Sequence, residues 1–182
     1  MTSHHQNSSY APSRAHSLVK AGLVAALYIV LTMLVAPVAF GPVQFRISEG
    51  LNYLGLYNKR YIYAVTIGVF IVNYFQFGPI DMVVGSAATF VFLWIGRWAG
   101  EATVRILQKT GRLKADPMII KYIIMGISFV IQMLPIAGML LFVGAEAAFW
   151  PVYISLAISE AIAMLVTAFV MYPLSKRVDF EA

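Results

Sequence analysis

Long apolar runs alternate with short polar or Gly/Pro-containing loops along most of this chain. The runs cover residues 17–38, 61–77, 80–98, 117–142 and 150–172. Their lengths fall in the range of about 17–25 residues that crosses a bilayer core about 30 Å thick. They are therefore predicted to be transmembrane α-helices, and Pro135 is expected to kink the helix over residues 117–142.

Residues 43–57, VQFRISEGLNYLGLY, form a further stretch that polar side chains interrupt. If it is a sixth span, all of the 13 lysines and arginines except Arg46 lie on one side of the membrane; if it is not, they divide 11 to 2. Cytoplasmic loops collect Lys and Arg, and both divisions satisfy that rule, so charge alone does not choose between five and six spans. Six spans are preferred because a short polar helix facing the bundle suits a binding protein. Both termini are then cytoplasmic.

The composition predicts an all-α integral membrane protein. Of the 182 residues, 60% are hydrophobic and 12% are charged, whereas a soluble protein carries roughly 25% charged residues. The mean hydropathy is +0.79. We predict one transmembrane domain over residues 14–182, preceded by a disordered cytoplasmic tail over residues 1–13 that does not resemble a signal peptide. The charged stretch 97–116 is predicted to be an interfacial amphipathic segment on the cytoplasmic side.

Several classes of function are disfavoured by residues that the sequence lacks. It has no cysteine, which excludes disulfides and cysteine nucleophiles. It has no GxxxxGK[ST] phosphate loop and no HExxH motif, so neither P-loop ATP binding nor zinc-dependent hydrolysis is expected. The net charge of +5 fits loops facing an anionic inner leaflet and does not indicate nucleic acid. We predict a protein that is not an enzyme and holds no metal or cofactor.

Polar side chains at membrane depth are the informative chemistry. An ionisable group at the bilayer centre costs about 2.5–3.5 kcal/mol on insertion scales, so it usually faces a cavity or a partner. At about 1.5 Å per residue, Glu160 lies near the midplane. Other polar groups fall between the midplane and the outer surface, where an outward-facing pocket would be built: Glu49, Asn52, Asn73, Asp81, Ser86 and Gln132.

Each of these groups also has a purely structural interpretation. Arg46 and Glu49 are three residues apart and can pair with each other. Asp81 follows Gly78-Pro79 and can cap the next helix. Asn73 and Gln132 can form interhelical hydrogen bonds without any ligand.

Two further patterns are weaker. Trp150 and Phe45 are candidates to stack on a flat ligand, although aromatic residues also form the ordinary interfacial belt. Ala21 and Ala25, with Gly22 and Ala26 in a parallel row, place small residues four apart on the first helix. Such rows allow another helix to approach closely.

The core Gln44-Phe45-Arg46-x-Ser48-Glu49, the Gly/Pro-containing loop before it and the stretch FGPIDMVVGSAATF over residues 77–90 resemble the queuosine-precursor transporter (QueT) family. Members are substrate-binding S components of bacterial energy-coupling factor (ECF) importers. The resemblance covers nearly the whole chain. It implies a six-transmembrane-helix S-component bundle whose pocket faces outward and is gated by the loop between the first two helices.

The resemblance also implies partners. A transmembrane coupling subunit would dock on Ala21 and Ala25, and two cytoplasmic ATPases would drive it, so ATP is used by the partners and not by this chain. The ligand would be a 7-deazaguanine precursor or salvage product of queuosine. Which form is bound stays open: cyano, aminomethyl, queuine or nucleoside.

From this resemblance and the polar pattern we predict roles for the site residues. Glu160 and Glu49 supply acidic contacts to N–H donors, while amide and hydroxyl groups orient the ligand. The orienting residues are Gln132, Asn73 and Ser86; Arg46 and Asp81 complete the polar site, and Trp150 or Phe45 stacks on the ring. The alternative is a stand-alone ion-coupled transporter that uses Glu49, Asp81 and Glu160 as ion carriers.

Overall fold

The computed structural model describes residues 14–35, 46–146 and 148–181. Within these ranges the chain forms α-helices and one 3₁₀ helix. We label them α1 (Arg14–Leu34), the 3₁₀ helix (Ile47–Leu56), α2 (Lys59–Phe77), α3 (Pro79–Lys109), α4 (Pro117–Phe142) and α5 (Phe149–Ser175). The predicted tail over residues 1–13, the loop over 37–42 and Phe45 lie outside the described residues.

The helical membrane class predicted from the apolar runs is confirmed. Four helices, α1, α3, α4 and α5, are long and apolar enough to cross a membrane. The predicted number of six spans is not established by these lengths. α2 has 19 residues but does not meet the same criterion, and the 3₁₀ helix has 10 residues.

Two predicted boundaries differ from the structure. α3 does not end near Trp98 but continues to Lys109, so much of the predicted interfacial segment 97–116 is a regular extension of this helix. Glu101 stabilises the extension, because its carboxylate lies 3.3 Å from Arg97 Nε and 3.4 Å from Arg105 Nη2. Such pairs, four residues apart, face each other on a helix.

The turn between α2 and α3 forms where Gly78-Pro79 predicted it. Gly78 has φ +87°, a left-handed conformation that glycine adopts without steric cost. Pro79 begins α3, where its missing N–H leaves no hydrogen bond unmade. The turn brings the end of α2 and the start of α3 close together.

The 3₁₀ helix is the buried centre of the bundle. Every residue from Ser48 to Leu56 is buried, and the helix packs against α1, α2 and α5. Gly50 allows the close approach to α5, because a Cβ built there would lie 2.8 Å from Thr167 Cβ. At the other end Arg97 Nη1 donates to the carbonyls of Gly55 at 2.6 Å and Leu56 at 3.1 Å. These are carbonyls that a helix C-terminus leaves without intrahelical partners.

One end of the bundle collects most of the positive charge, and we call it the basic end. Arg60 links three segments there, because its guanidinium donates to Ser17 Oγ at 3.3 Å and to the carbonyl of Glu181 at 3.2 Å. The start of α1, the start of α2 and residue 181 therefore lie at the same end. Arg46 lies away from it, at the start of the 3₁₀ helix.

An ion pair joins α4 and α5 at the basic end. Asp116 Oδ2 accepts hydrogen bonds from Lys176 Nζ and from the hydroxyl of Tyr172, each at 2.7 Å. The Lys176 ammonium, the backbone N–H of Met118 and the Tyr172 hydroxyl together lower the pKa of Asp116 to about 2. The same hydrogen bond raises the pKa of Lys176.

Candidate functional site

A small polar cavity, the inner cavity, lies in the half of the bundle opposite the basic end. Its volume is about 40 Å³. It lies among the start of the 3₁₀ helix, the second halves of α1, α2 and α4, and the first halves of α3 and α5. Its lining residues are Tyr28, Arg46, Glu49, Val69, Asn73, Asp81, Gly85, Thr89, Phe129, Gln132, Met133, Ile136, Leu156 and Glu160.

Glu49 is held in place by other residues of the chain. Its carboxylate accepts hydrogen bonds from the Tyr28 hydroxyl at 3.0 Å and from the Asn52 amide at 2.5 Å. Arg46 Nη1 lies 4.0 Å from Glu49 Oε1, so the pairing suggested by their spacing is present. Glu49 is thus fixed in orientation while it still lines the cavity.

α3 contributes a stripe of residues to the cavity wall. Asp81, Gly85 and Thr89 are four apart, so they share one face of the helix. Gly85 leaves room for the Asn73 side chain of α2, because a Cβ built on Gly85 would collide with the Asn73 amide nitrogen. That amide donates to the backbone carbonyl of Asp81 at 3.3 Å.

Gln132 reaches the same stripe from α4. Its amide nitrogen donates to Thr89 Oγ1 at 3.0 Å. The interhelical hydrogen bonds considered for Asn73 and Gln132 are therefore present, but they use only the amide nitrogens. Asp81 does not cap α3, since Gly78 is the N-cap and no side-chain capping hydrogen bond forms.

Four side-chain oxygens around the cavity are buried and accept no hydrogen bond from the described part of the chain. They are Asn73 Oδ1, Asp81 Oδ2, Gln132 Oε1 and Glu160 Oε1. A buried polar atom without a partner costs roughly 1–3 kcal/mol. A ligand that brings N–H donors would recover this cost at each of the four oxygens.

The balance of charge in the cavity also favours a ligand that brings N–H donors. Three carboxyl groups line it, from Glu49, Asp81 and Glu160, against the single guanidinium of Arg46. In the described part of the chain, no other Lys or Arg side chain lines it. A cationic or donor-rich guest therefore suits the site better than an anion. No cluster of three or more His, Asp or Glu among the described residues could hold a metal ion.

A second cavity, the outer cavity, adjoins the first and has a volume of about 280 Å³. The two share Arg46, Asp81 and Ile136. The remaining wall comes from the first turn of α3 and from α4 and the loop that follows it: Pro79, Ile80, Met139, Leu140, Val143 and Ala145. The outer cavity is thus a largely apolar space next to the polar inner one.

The structure brings six predicted site residues together around the inner cavity: Arg46, Glu49, Asn73, Asp81, Gln132 and Glu160. Ser86 is not among the lining residues, because it lies on another face of α3 and its hydroxyl donates to the carbonyl of Met82 at 2.6 Å. Trp150 is also elsewhere. Its side chain is 65% exposed and packs edge-on against Phe149, which leaves it outside the cavity.

The small residues of α1 lie on two sides of the helix, and docking at Ala21 and Ala25 stays a prediction. Ala21 and Ala25 are half-buried, on the same side of the helix as the buried Tyr28. Gly22 and Ala26 are exposed, and nothing lies within 4 Å of a Cβ built on Gly22. The outward row of small residues is therefore Gly22 and Ala26, whereas Ala21 and Ala25 contribute to internal packing.

Sequence reasoning missed two polar residues that line the inner cavity, Tyr28 and Thr89. Tyr28 donates to Glu49 from the middle of α1, and Thr89 accepts from Gln132. The signal for Thr89 was its spacing, since it continues the Asp81–Gly85 stripe by one more helical turn. Tyr28 had a weaker signal, a hydroxyl-bearing residue four before Thr32 in the apolar second half of α1.

Comparison with known proteins agrees with the resemblance noted in the sequence. The family model described as "QueT transporter" matches residues 18–176. The protein named queuosine precursor transporter QueT from Lactococcus lactis subsp. cremoris is 38% identical over 171 residues, covering 93% of this chain and 98% of the relative. No solved structure matches the chain.

Proposed function

This chain belongs to the QueT transporter family, and from that premise we propose that it is the substrate-binding S component of an ECF importer for a 7-deazaguanine queuosine precursor. A multi-pass membrane protein of a transporter family is not expected to be an enzyme, and the candidate site fits capture without chemistry. The relative from Lactococcus lactis is named for queuosine precursor transport, which supports the same class of cargo here.

The observation that carries the proposal is the set of four unpartnered oxygens on residues that line the inner cavity. A deazaguanine presents several N–H groups along its polar edge, and carboxylate and amide oxygens accept from such groups. Glu160 and Asp81 supply carboxylate oxygens, while Asn73 and Gln132 supply amide oxygens. An aminomethyl substituent, which is cationic, would also offset the excess of carboxyl groups.

The size of the site requires that the ligand use both cavities. The inner cavity, at about 40 Å³, holds only a few water-sized spheres. The outer cavity, at about 280 Å³, approaches the lower end of the roughly 300–1,000 Å³ range of small-molecule pockets. We therefore place the polar edge of the base against the inner oxygens and its remaining bulk in the apolar outer space. Arg46 and Asp81 lie at the boundary between them.

Replacing Glu160 with Gln tests this assignment. Gln keeps the size of the side chain but removes the charge, so a charge-assisted hydrogen bond worth about 1.5–3 kcal/mol is lost. Affinity for aminomethyl-7-deazaguanine, measured by calorimetry on the purified chain, is expected to fall about 10- to 160-fold. Glu146→Gln is the matched control, because Glu146 is exposed in the loop after α4. Equal affinity in Glu160→Gln and the wild type would remove Glu160 from the binding site.

The same measurement with the cyano form, queuine and the nucleoside identifies the ligand. The excess of carboxyl groups predicts that the cationic aminomethyl form binds more tightly than the neutral cyano form. Equal binding of the two forms would show that the charge balance of the site does not select the substituent.

We further propose six membrane crossings with the basic end in the cytoplasm, as the excess of Lys and Arg at that end favours. α2 and the 3₁₀ helix would complete the four apolar spans, since helices on either side shield their polar residues. The placement of the start of α1, the start of α2 and residue 181 at one end supports an even number of crossings. Attaching a membrane-impermeant thiol label to cysteines introduced at Ser17 and Glu181 tests this topology in whole cells.

Docking on the coupling subunit is proposed to use the exposed row of α1. Only 17% of the apolar window of α1 is buried, compared with 33–39% in the other apolar spans. Gly22 and Ala26 would let a partner helix approach α1 closely. Ala26→Leu is expected to reduce co-purification of the coupling subunit and its ATPases, while Ala87→Leu, at an exposed alanine of α3, leaves it unchanged.

The same co-purification separates the importer from a stand-alone ion-coupled transporter. An importer subunit retains its ATPases, and its uptake of the precursor stops when their ATP hydrolysis is blocked. Uptake by this chain alone in proteoliposomes, driven by a proton gradient, would instead assign the three carboxyl groups to ion coupling.

A further inference from the structure

A long apolar groove runs along the outside of the bundle between α4 and α5. Its volume is about 530 Å³, larger than that of the inner or the outer cavity. Small residues form its bed, at Gly126, Ala161 and Ala168, and large exposed side chains such as Ile127 and Phe169 form its edges. The groove exists because α4 and α5 carry small residues where their surfaces meet.

Tyrosine rings line one part of the groove, and the hydroxyl group of each is engaged in a hydrogen bond. The Tyr53 hydroxyl donates to the carbonyl of Met164 at 3.0 Å. The Tyr122 and Tyr57 hydroxyls are 3.2 Å apart, and the Tyr172 hydroxyl donates to Asp116. The Tyr53 and Tyr122 rings are stacked with centroids 4.1 Å apart. The groove therefore presents almost only apolar surface to an occupant.

The length and position of the groove match one leaflet of a bilayer. On α4 it extends from Ile119 to Ile131, about 18 Å at 1.5 Å per residue. Half of the hydrocarbon core is about 15 Å thick. The groove thus begins at the basic end and stops close to the membrane midplane. An acyl chain of the leaflet at the basic end spans the same depth.

The mouth of the groove carries charge. Pro173 and Ile119 mark the mouth, and the Lys176–Asp116 ion pair lies beside it, with Lys176 half-exposed at 53% of its side chain. Arg177 and Lys114 are exposed in the adjacent segments. Cations at this depth attract the phosphate of a lipid headgroup.

We propose that this groove is a binding site for one phospholipid of the leaflet at the basic end, with an acyl chain along α4 and α5 and its phosphate near Lys176. The acyl chain of the lipid packs against Tyr53, which belongs to the same 3₁₀ helix as Glu49. Lipid in the groove therefore supports the element that positions Glu49 at the inner cavity.

Filling the groove tests the proposal. Gly126 tolerates a side chain, since a built Cβ meets its nearest atoms at 3.7 and 3.9 Å, and Ala161 is exposed. In the double variant Gly126→Leu, Ala161→Leu, the added side chains occupy the path of the acyl chain. The control is Ala87→Leu, which adds the same bulk to an exposed position of α3 outside the groove. Thermal unfolding of all three proteins verifies that they fold.

Native mass spectrometry of protein released from mild detergent measures the retained lipid. The wild type and the Ala87→Leu control are expected to retain one phosphatidylglycerol, and the double variant roughly tenfold less, because each methylene kept off apolar surface weakens binding several-fold. Equal retention in all three proteins would overturn the site. Equal retention of phosphatidylglycerol and diacylglycerol by the wild type would overturn the role of the phosphate. If the double variant retains as much lipid as the wild type but no longer co-purifies with the coupling subunit, the groove is instead a docking site for that partner.

Discussion

Gly85 offers a direct test of how the candidate site is built. A Cβ at this position would collide with the amide nitrogen of Asn73, so Gly85→Ala should displace that side chain. The amide then loses its hydrogen bond to the Asp81 carbonyl, worth about 0.5–1.5 kcal/mol. Overpacking in a tight interior lowers stability by about 1–3 kcal/mol more. The higher helix propensity of alanine offsets about 0.5–1 kcal/mol of this loss.

The net expectation is a destabilisation of about 0.5–4 kcal/mol. Ligand affinity should fall as well, because Asn73 Oδ1 moves away from the cavity. Loss of one neutral hydrogen bond corresponds to a decrease of about 2- to 12-fold. Thermal unfolding and calorimetric titration with aminomethyl-7-deazaguanine measure the two effects on the same sample.

Gly138→Ala is the matched control. Nothing lies within 4 Å of a Cβ built on Gly138, so this change should leave affinity unchanged and raise stability by about 0.5–1 kcal/mol. In a double-mutant cycle, Gly85→Ala and Asn73→Ala should be non-additive, since both act on the same amide. Wild-type affinity in Gly85→Ala, or additive effects in the cycle, would refute the contribution of Asn73 to ligand binding.

Three further predictions concern the elements that hold the site. Gly50→Ala should lower stability by about 1–3 kcal/mol in thermal unfolding, because the added methyl group overlaps Thr167. An unchanged melting temperature would contradict the close packing of the 3₁₀ helix on α5. Arg97→Gln should lower the free energy of unfolding by about 1.5–3 kcal/mol, because it removes charge-assisted hydrogen bonds to the end of the 3₁₀ helix. If the loss is no larger than that caused by Arg105→Gln, Arg97 does not stabilise the end of the 3₁₀ helix. Asp116→Asn should cost about 0.5–1 kcal/mol at neutral pH, since the pair with Lys176 is partly screened by solvent. Because the pKa of Asp116 is lowered, the stability that the ion pair contributes is present above pH 3.8, the ordinary pKa, and is lost as the pH falls through about 2. If the stability difference between Asp116→Asn and the wild type persists in full at the lowest pH, the ion pair is not its source.

Much of the candidate site was predictable because membranes penalise polar side chains. Glu49, Asn73, Asp81, Gln132 and Glu160 are polar residues that were predicted to lie at membrane depth, and all of them line the inner cavity. Depth alone does not say which way a side chain points around the helix. Ser86 has a suitable depth but bonds to its own helix, and Trp150 lies on the exposed side of α5.

The outward face of α1 shows the same limit. Ala21-x-x-x-Ala25 and Gly22-x-x-x-Ala26 are equivalent as sequence patterns, because both place small residues four apart. Tyr28 and Thr32 decide between them, since their burial turns Ala21 and Ala25 toward the bundle. That burial depends on Glu49 and Ser48, which bond to Tyr28 and Thr32 from the 3₁₀ helix.

The sequence by itself determined the membrane class, the positions of the apolar helices and the collection of basic residues at one end. These follow from local composition, since a run of apolar residues satisfies its backbone hydrogen bonds within one helix wherever it lies in the fold. Only the tertiary structure decided that residues 47–56 form a buried 3₁₀ helix, which amide atoms remain available to a ligand, and where the two cavities and the apolar groove between α4 and α5 open. Those features depend on contacts between distant segments, such as Gly50 with Thr167 and Gln132 with Thr89, and no local pattern in the chain specifies them.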